Sequence, residues 1–204
     1  MSGLKLAALY GIKPHSLGFC GPKDKGVLLN YLKGEKISEK KIRKILEQFR
    51  GAYPYYKIIA KANKIKDPFD ERAVRAYWVG NKLLGKAGGI KSHHSYHVLV
   101  IGSITGRIVL KGRLLDLCRV GWGRVKKLKI KNQKLKILYK PLVIKKKISL
   151  GKWAEKEIDW DKSLLPKVKI GDWVSFHWNQ AVEVLTKKDK KNLEKYTKLT
   201  LDSL

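Results

Sequence analysis

Apolar positions recur at helical spacing over roughly the first ninety residues and at strand spacing over most of the rest. Leu4, Ala7, Ala8 and Gly11 fall on one helical face. Ile12 to Asp24 breaks that helix, with two prolines, two glycines, His15 and Cys20; its Gly21-Pro22 step is a turn signal. Lys25 to Lys33 reads as a short helix. Ser38 is the expected N-cap of a helix over Glu39 to Phe49, because Ile42, Ile45, Leu46 and Phe49 lie at i, i+3, i+4 and i+7. Gly51 ends it, and Tyr53-Pro54-Tyr55-Tyr56 opens another helix, to about Ile65. Asp67 to Arg72 has the acids of a helix first turn, and Val74, Tyr77, Trp78, Asn81 and Leu84 follow on one face. Lys86 to Ile90 is a glycine-rich connection and the expected boundary between domains 1–90 and 91–204.

Beyond it, the apolar half of Ser92 to Gly106 reads as a buried strand ending in a Thr105-Gly106 turn. Leu110 to Cys118 reads as a short helix, with Cys118 at the start of a strand. Strands are then expected over Gly123 to Ile130, Leu135 to Val143, Lys147 to Trp153, Ile170 to Trp178 and Val182 to Leu185. A long loop, Ala154 to Lys167, separates the third from the fourth. The fourth is bounded by Gly171-Asp172 and alternates, Trp173, Ser175 and His177 against Val174, Phe176 and Trp178, as a half-buried strand does. Thr186 caps a last helix, with Leu193, Tyr196, Leu199 and Thr200 on one face. The fold class is therefore α+β: a helical N-terminal domain, a small OB-like β-barrel and a C-terminal helix.

Charge changes the picture next. The net charge is +29, which favours a nucleic-acid partner through phosphate neutralisation. Only eight of the 46 basic residues are arginine, the side chain best suited to forked phosphate recognition, and lysine enrichment also follows from genome composition or growth temperature. Trp122, Arg124, Lys126, Lys127 and Trp173 are the residues that a nucleic-acid-binding barrel face would use. No run of about 18 apolar residues spans a membrane, and the early apolar run is too short for a signal peptide. A cytoplasmic protein with reduced cysteines is expected.

The residues that carry chemistry are few. Two cysteines, Cys20 and Cys118, and five histidines supply thiolate and imidazole ligands suited to Fe(II) or Zn(II). His93, His94 and His97 cluster within five residues; in regular structure His93 and His97 share a side and His94 turns away. Cys20, placed near a helix N-terminus at Asp24, is also a candidate nucleophile with His93 or His97, the basis of a cysteine-hydrolase reading. There is no phosphate loop, dinucleotide fingerprint, Gly-x-Ser-x-Gly or carboxylate dyad, so a non-enzymatic role leads.

Two stretches carry a family resemblance. Cys118-Arg119-Val120-Gly121-Trp122-Gly123-Arg124-Val125 and Ile170-Gly171-Asp172-Trp173-Val174-Ser175-Phe176-His177 resemble the cysteine motif and late strand of the HypC/HupF hydrogenase-maturation chaperones. The likeness covers Cys118 to about Leu201, with Trp122 where that family has proline. It implies a five-stranded OB-like barrel, an iron centre held by Cys118 with His177 beside it, and a partner protein, either a maturase or a metalloenzyme precursor. Phe19-Cys20-Gly21-Pro22 faintly echoes the partner maturase's own cysteine motif. The expected metal set is thus Cys20, Cys118, His93, His97 and His177, with His94 as a further candidate and zinc as the alternative ion. The whole chain, including Leu17 to Pro22 and His93 to His97, also resembles a bacterial family that is known only as a domain of unknown function.

Overall fold

In the computed structural model the chain is described over residues 1–104 and 108–204; the expected Thr105-Gly106 turn lies outside the described residues. Five helices come first: α1 (Gly3–Ser16), α2 (Val27–Leu32), α3 (Glu39–Leu46), α4 (Tyr53–Ala62) and α5 (Glu71–Trp78). Their caps are the expected kind. Ser38 accepts from Lys41 N at the head of α3, and Asp70 accepts from Arg72 N at the head of α5. Helix α1 runs further than its sequence suggests and carries Pro14 in its last turn. Ten of its residues, Gly3 to Pro14, are buried, so packing on all sides holds it helical past the proline.

Residues 92–104 depart from expectation. Instead of a buried strand, α6 (His94–Tyr96) runs into a wide helical turn, His97–Ile101, and only Ser103–Ile104 (β1) pairs, with Ile108–Val109 (β2). An apolar run of this length is ambiguous between strand and buried helix, and here Val98 and Leu99 find their partners Leu110, Leu115 and Cys118 in helical geometry. Cys118 also differs: it closes α7 (Arg113–Cys118) rather than opening a strand.

The rest is mainly β: β3 (Gly121–Lys129), β4 (Lys134–Tyr139), β5 (Leu142–Ile144), β6 (Ile148–Leu150), β7 (Ala154–Asp159), β8 (Trp173–His177) and β9 (Gln180–Val184), then α8 (Lys187–Asp202). Five of these strands form one sheet. β3 pairs with β4 and β8, β4 with β7, and β8 with β9, all antiparallel. The edge strands β7 and β9 meet at one parallel pair, Asp159 with Gln180. β5 and β6 make a separate two-stranded sheet. The strand β7 lies inside the stretch expected to be a loop. Its residues Glu155 and Glu157 point to solvent and only Ile158 is fully buried, so it has almost no apolar pattern.

One face of the sheet encloses Val125, Leu135, Ile137, Ile158, Val174 and Phe176. Gly121 is required there, because a Cβ would lie 2.2 Å from the Phe176 ring. The opposite face of β8 is covered as well. Val120, Trp122, Val182, Leu185 and Leu193 join the core of the helical segment, so β8 is buried on both sides rather than half-buried.

A polar knot crosses this seam. The Tyr10 hydroxyl reaches Ser175 Oγ at 3.0 Å and donates to Glu183 Oε1 at 2.8 Å. Arg75 places both terminal nitrogens on the Glu183 carboxylate, at 3.3 and 3.1 Å, and one on Glu71 at 3.0 Å. Burial pushes the Glu183 carboxyl up while Arg75 pulls it down, and every polar atom of the pair has a partner. A buried pair this complete fixes how α1 and α5 sit on the sheet.

Candidate metal centre

Three side chains from three elements converge beside that knot. One ring nitrogen of His94 (α6), one of His177 (β8) and the Cys118 sulfur (α7) all lie within 4.8 Å of one another, and all three residues are buried. The backbone explains the convergence. Trp178 N donates to the Leu117 carbonyl at 2.8 Å, which sets the end of β8 against the end of α7. Trp178 and Asn179 then form a two-residue turn into β9, both in the left-handed region (φ 52° and 60°). That conformation suits Asn179 and strains a tryptophan. The strain is held by stacking, since the Trp178 ring lies 4.4 Å from Phe19 at 24°. Phe19 in turn brings the loop containing Cys20 onto the site.

His177 is set up as a ligand. Its Nδ1 lies 2.6 Å from the Tyr10 carbonyl. A carbonyl only accepts, so Nδ1 carries the proton and Nε2 keeps a bare lone pair. Burial moves the His177 pKa down to about 4, which keeps the ring neutral at pH 7. Nε2 is buried with no hydrogen-bond partner. The Cys118 carbonyl, which accepts from His94 Nε2, also faces the ring but outside hydrogen-bond geometry.

His94 is set up similarly. Its Nε2 donates to the Cys118 carbonyl at 2.7 Å, which leaves Nδ1 bare, 3.0 Å from the Tyr77 hydroxyl. Tyr77 has one proton for three neighbours: the Gly51 carbonyl at 2.7 Å, His94 Nδ1, and His97 Nδ1 at 3.1 Å. His97 can donate to the Tyr77 oxygen. His94 cannot while it is neutral, and burial holds its pKa well below the usual range. So when Tyr77 serves Gly51, the His94 lone pair meets no donor.

The thiols are protonated at rest. Burial pushes Cys118 far up, and Trp178 Nε1 faces the sulfur without reaching a hydrogen bond. Cys20 is pushed up to about 12 by burial. The expected helix N-terminus beside Cys20 is not there: α2 starts at Val27, and Asp24 takes its first amides, accepting from Gly26 N and Leu28 N. His15 fixes the loop instead, with Nδ1 3.0 Å from the Cys20 carbonyl and Nε2 2.9 Å from Asp24. No hydrogen bond among the described residues joins Cys20 to His93 or His97.

Cys20 does line the same cavity as Cys118, His94, His97 and His177, a space of about 40 Å³ that also touches Tyr77 and Gly21. Gly21 sits at φ +75°, and a Cβ there would lie 2.6 Å from the Phe49 ring. His93 points elsewhere. Its Nδ1 accepts from Ser95 N and its ring stacks on Tyr196 of α8. The expected His93–His97 pairing assumed regular structure across 93–97. In fact His93 is the cap of α6 and His94 its first residue, so His94 faces Cys118. A cap reading of His93 was the one sequence signal that could have found this.

The nucleic-acid candidates divide. Trp122 is buried under the Arg119 guanidinium, 5.7 Å from its ring, so it cannot stack a base. Arg124, Lys126 and Lys127 are exposed, and Trp173 is partly exposed. No helix among the described residues is long and apolar enough to cross a membrane.

Fold and site together define an α+β protein with a buried Cys/His cluster on the seam between helices and sheet. The chain matches DUF6390, a family of unknown function, over residues 1–92 and 87–204, and it belongs to that family. No curated protein and no solved structure matches it. The family match covers the whole chain and lends no support to the HypC/HupF likeness.

Proposed function

We propose that this is a metal-handling protein that holds one soft or borderline ion, Fe(II) or Zn(II), between His94, Cys118 and His177. The observation that carries the reading is His177 Nε2: a bare, buried lone pair with no partner, oriented by a backbone carbonyl on the other ring nitrogen. That is how ligating histidines are usually fixed. Ligation through His94 Nδ1 would take the place of its Tyr77 contact, and Tyr77 keeps the Gly51 carbonyl as acceptor. The Cys118 proton leaves when the ion binds, because only the thiolate ligates. A tetrahedral ion at zinc-like bond lengths wants its ligand atoms about 3.5 Å apart. Binding therefore draws together ligand atoms that lie up to 4.8 Å apart.

Three protein ligands leave a fourth position toward the cavity wall that carries Cys20, and an incompletely closed site suits release to a partner better than permanent storage. We read the five-stranded sheet as an OB-like barrel. The narrower reading, an iron chaperone that passes its ion to a metalloenzyme precursor, rests on the HypC/HupF resemblance alone.

Metal analysis of protein purified without oxygen tests the proposal. About one equivalent of iron or zinc per chain is expected, lost in Cys118→Ser and His177→Gln and kept in His93→Gln. A folded protein that binds neither ion, or that keeps its ion in both ligand variants, rejects it.

A further inference from the structure

A second surface stands apart from the buried cluster. Trp153, between β6 and β7, is 45% exposed. Trp173 opens β8 and is partly exposed, its ring 6.1 Å from that of Trp153 and tilted 47° to it. A lysine covers each indole: Lys140 Nζ lies 5.0 Å from the Trp153 ring centre and Lys190 Nζ 5.0 Å from that of Trp173. Exposed Arg124 is the direct cross-strand neighbour of Trp173. The carboxylate that tempers this patch is Glu194, which pairs with Lys190 at 2.6 Å.

Core packing does not account for an indole left this wet in a chain that buries Trp78, Trp122, Trp160 and Trp178. An exposed ring beside a half-buried one, both framed by cations, is the chemistry that accepts unstacked bases and their phosphates. Each lysine over a ring can exchange the ring for a phosphate as a base takes its place. A duplex hides its base faces and could use only the charges. The chain's +29 charge supplies the long-range attraction, while the paired indoles supply a local contact that charge alone lacks.

We propose that Trp153 and Trp173, with Lys140, Lys190 and Arg124, form a binding surface for single-stranded nucleic acid. It is independent of the metal reading, because none of these residues touches the His94–Cys118–His177 cluster.

The test is a titration of a short labelled oligouridylate with the full chain, followed by anisotropy and by tryptophan fluorescence. Oligodeoxythymidylate, an RNA duplex of equal length and anionic lipid vesicles run as parallel arms. Single strands should bind, quench the indoles and weaken steeply as salt rises from about 50 to about 200 mM. Trp153→Ala should weaken binding roughly tenfold, and Trp153→Phe should restore most of it. Uridylate and thymidylate arms separate RNA from DNA, and either one supports the proposal. Three results overturn it: Trp153→Ala binding as tightly as the parent, duplex binding as tightly as single strand, or vesicles binding where oligonucleotides do not. Trp153 is exposed, so an unchanged melting curve verifies that the alanine variant is folded.

Discussion

Tyr10 touches two buried polar groups, and they are built in opposite ways. Its hydroxyl belongs to the knot of Ser175, Glu183 and Arg75, where every donor and acceptor is satisfied. Its carbonyl holds His177, whose other nitrogen is left with nothing. Both sit on the same face of β8, Ser175 and His177 being two residues apart. Burying polar groups is costly either way, so the difference is informative. The complete knot is architecture: it fixes the helices to the sheet. The incomplete one is stable only while the imidazoles stay neutral and the thiol stays protonated, and it is the group to which the proposal assigns a cation.

The largest expected effect breaks the complete knot. Glu183→Ala removes the most buried carboxylate of Arg75, which keeps Glu71 and Asp189, and takes the acceptor from the Tyr10 hydroxyl; it should cost about 3 kcal/mol. Differential scanning calorimetry should show the melting temperature falling by roughly 10 °C, with no loss of metal binding in the protein that remains folded. A drop of only a degree or two would mean that water reaches the pair and that the contrast is weaker than drawn.

Acid should act on the incomplete group. The His177 pKa is about 4 in the fold against 6.5 for an ordinary histidine. Between those values the unfolded chain takes up a proton that the folded chain refuses. Stability contributed here is thus full above pH 6.5, falls as the pH drops toward 4, and is worth about 3 kcal/mol from His177 alone. His93, at about 3, and His94 add in the same direction. Glu183, shifted upward, opposes them. Denaturant midpoints measured from pH 7 to pH 4 should fall steeply, and His177→Gln should make the slope shallower. A flat profile would show that the rings are solvated or already charged.

Zinc sharpens the contrast from the other side. At about a hundredfold excess over the dissociation constant it should stabilise the parent by roughly 2.7 kcal/mol and leave His177→Gln unmoved. At the far end of the scale is the exposed Lys136–Glu155 pair across β4 and β7. Glu155→Gln should shift the melting temperature by no measurable amount, since exposed pairs are weak. If it matched Glu183→Ala, burial would not be the deciding variable.

What the sequence revealed follows the same physics. Helices α3 and α8 were legible because Ser38 and Thr186 cap them and their apolar positions keep helical spacing. β8 was legible from its alternation, but its second buried face was not, because nothing local says that α1 will cover Ser175 and His177. β7 was missed because its inward positions are only Ile158, the small Ala154 and the aliphatic stem of Lys156, whose ammonium lies over Tyr139 and Phe176. Cys118 and His177 were paired by resemblance, and the Trp178–Leu117 hydrogen bond is the contact that joins them. His94 was assigned the wrong direction, since a cap at His93 breaks the regular spacing on which the assignment relied. Arg75 and Glu183 lie 108 positions apart and left no trace in the sequence at all.

Cobalt substitution tests the central claim most directly, because it reports the ligands as well as the binding. Co(II) added to the metal-free parent without oxygen should bind at one equivalent. It should show thiolate-to-cobalt charge-transfer absorption in the near ultraviolet and the intense visible bands of a four-coordinate ion. Cys118→Ser should abolish the charge-transfer band, and His177→Gln should weaken or remove the visible bands. A charge-transfer band that survives Cys118→Ser, or a parent protein that leaves Co(II) in its aqueous form, would contradict the account.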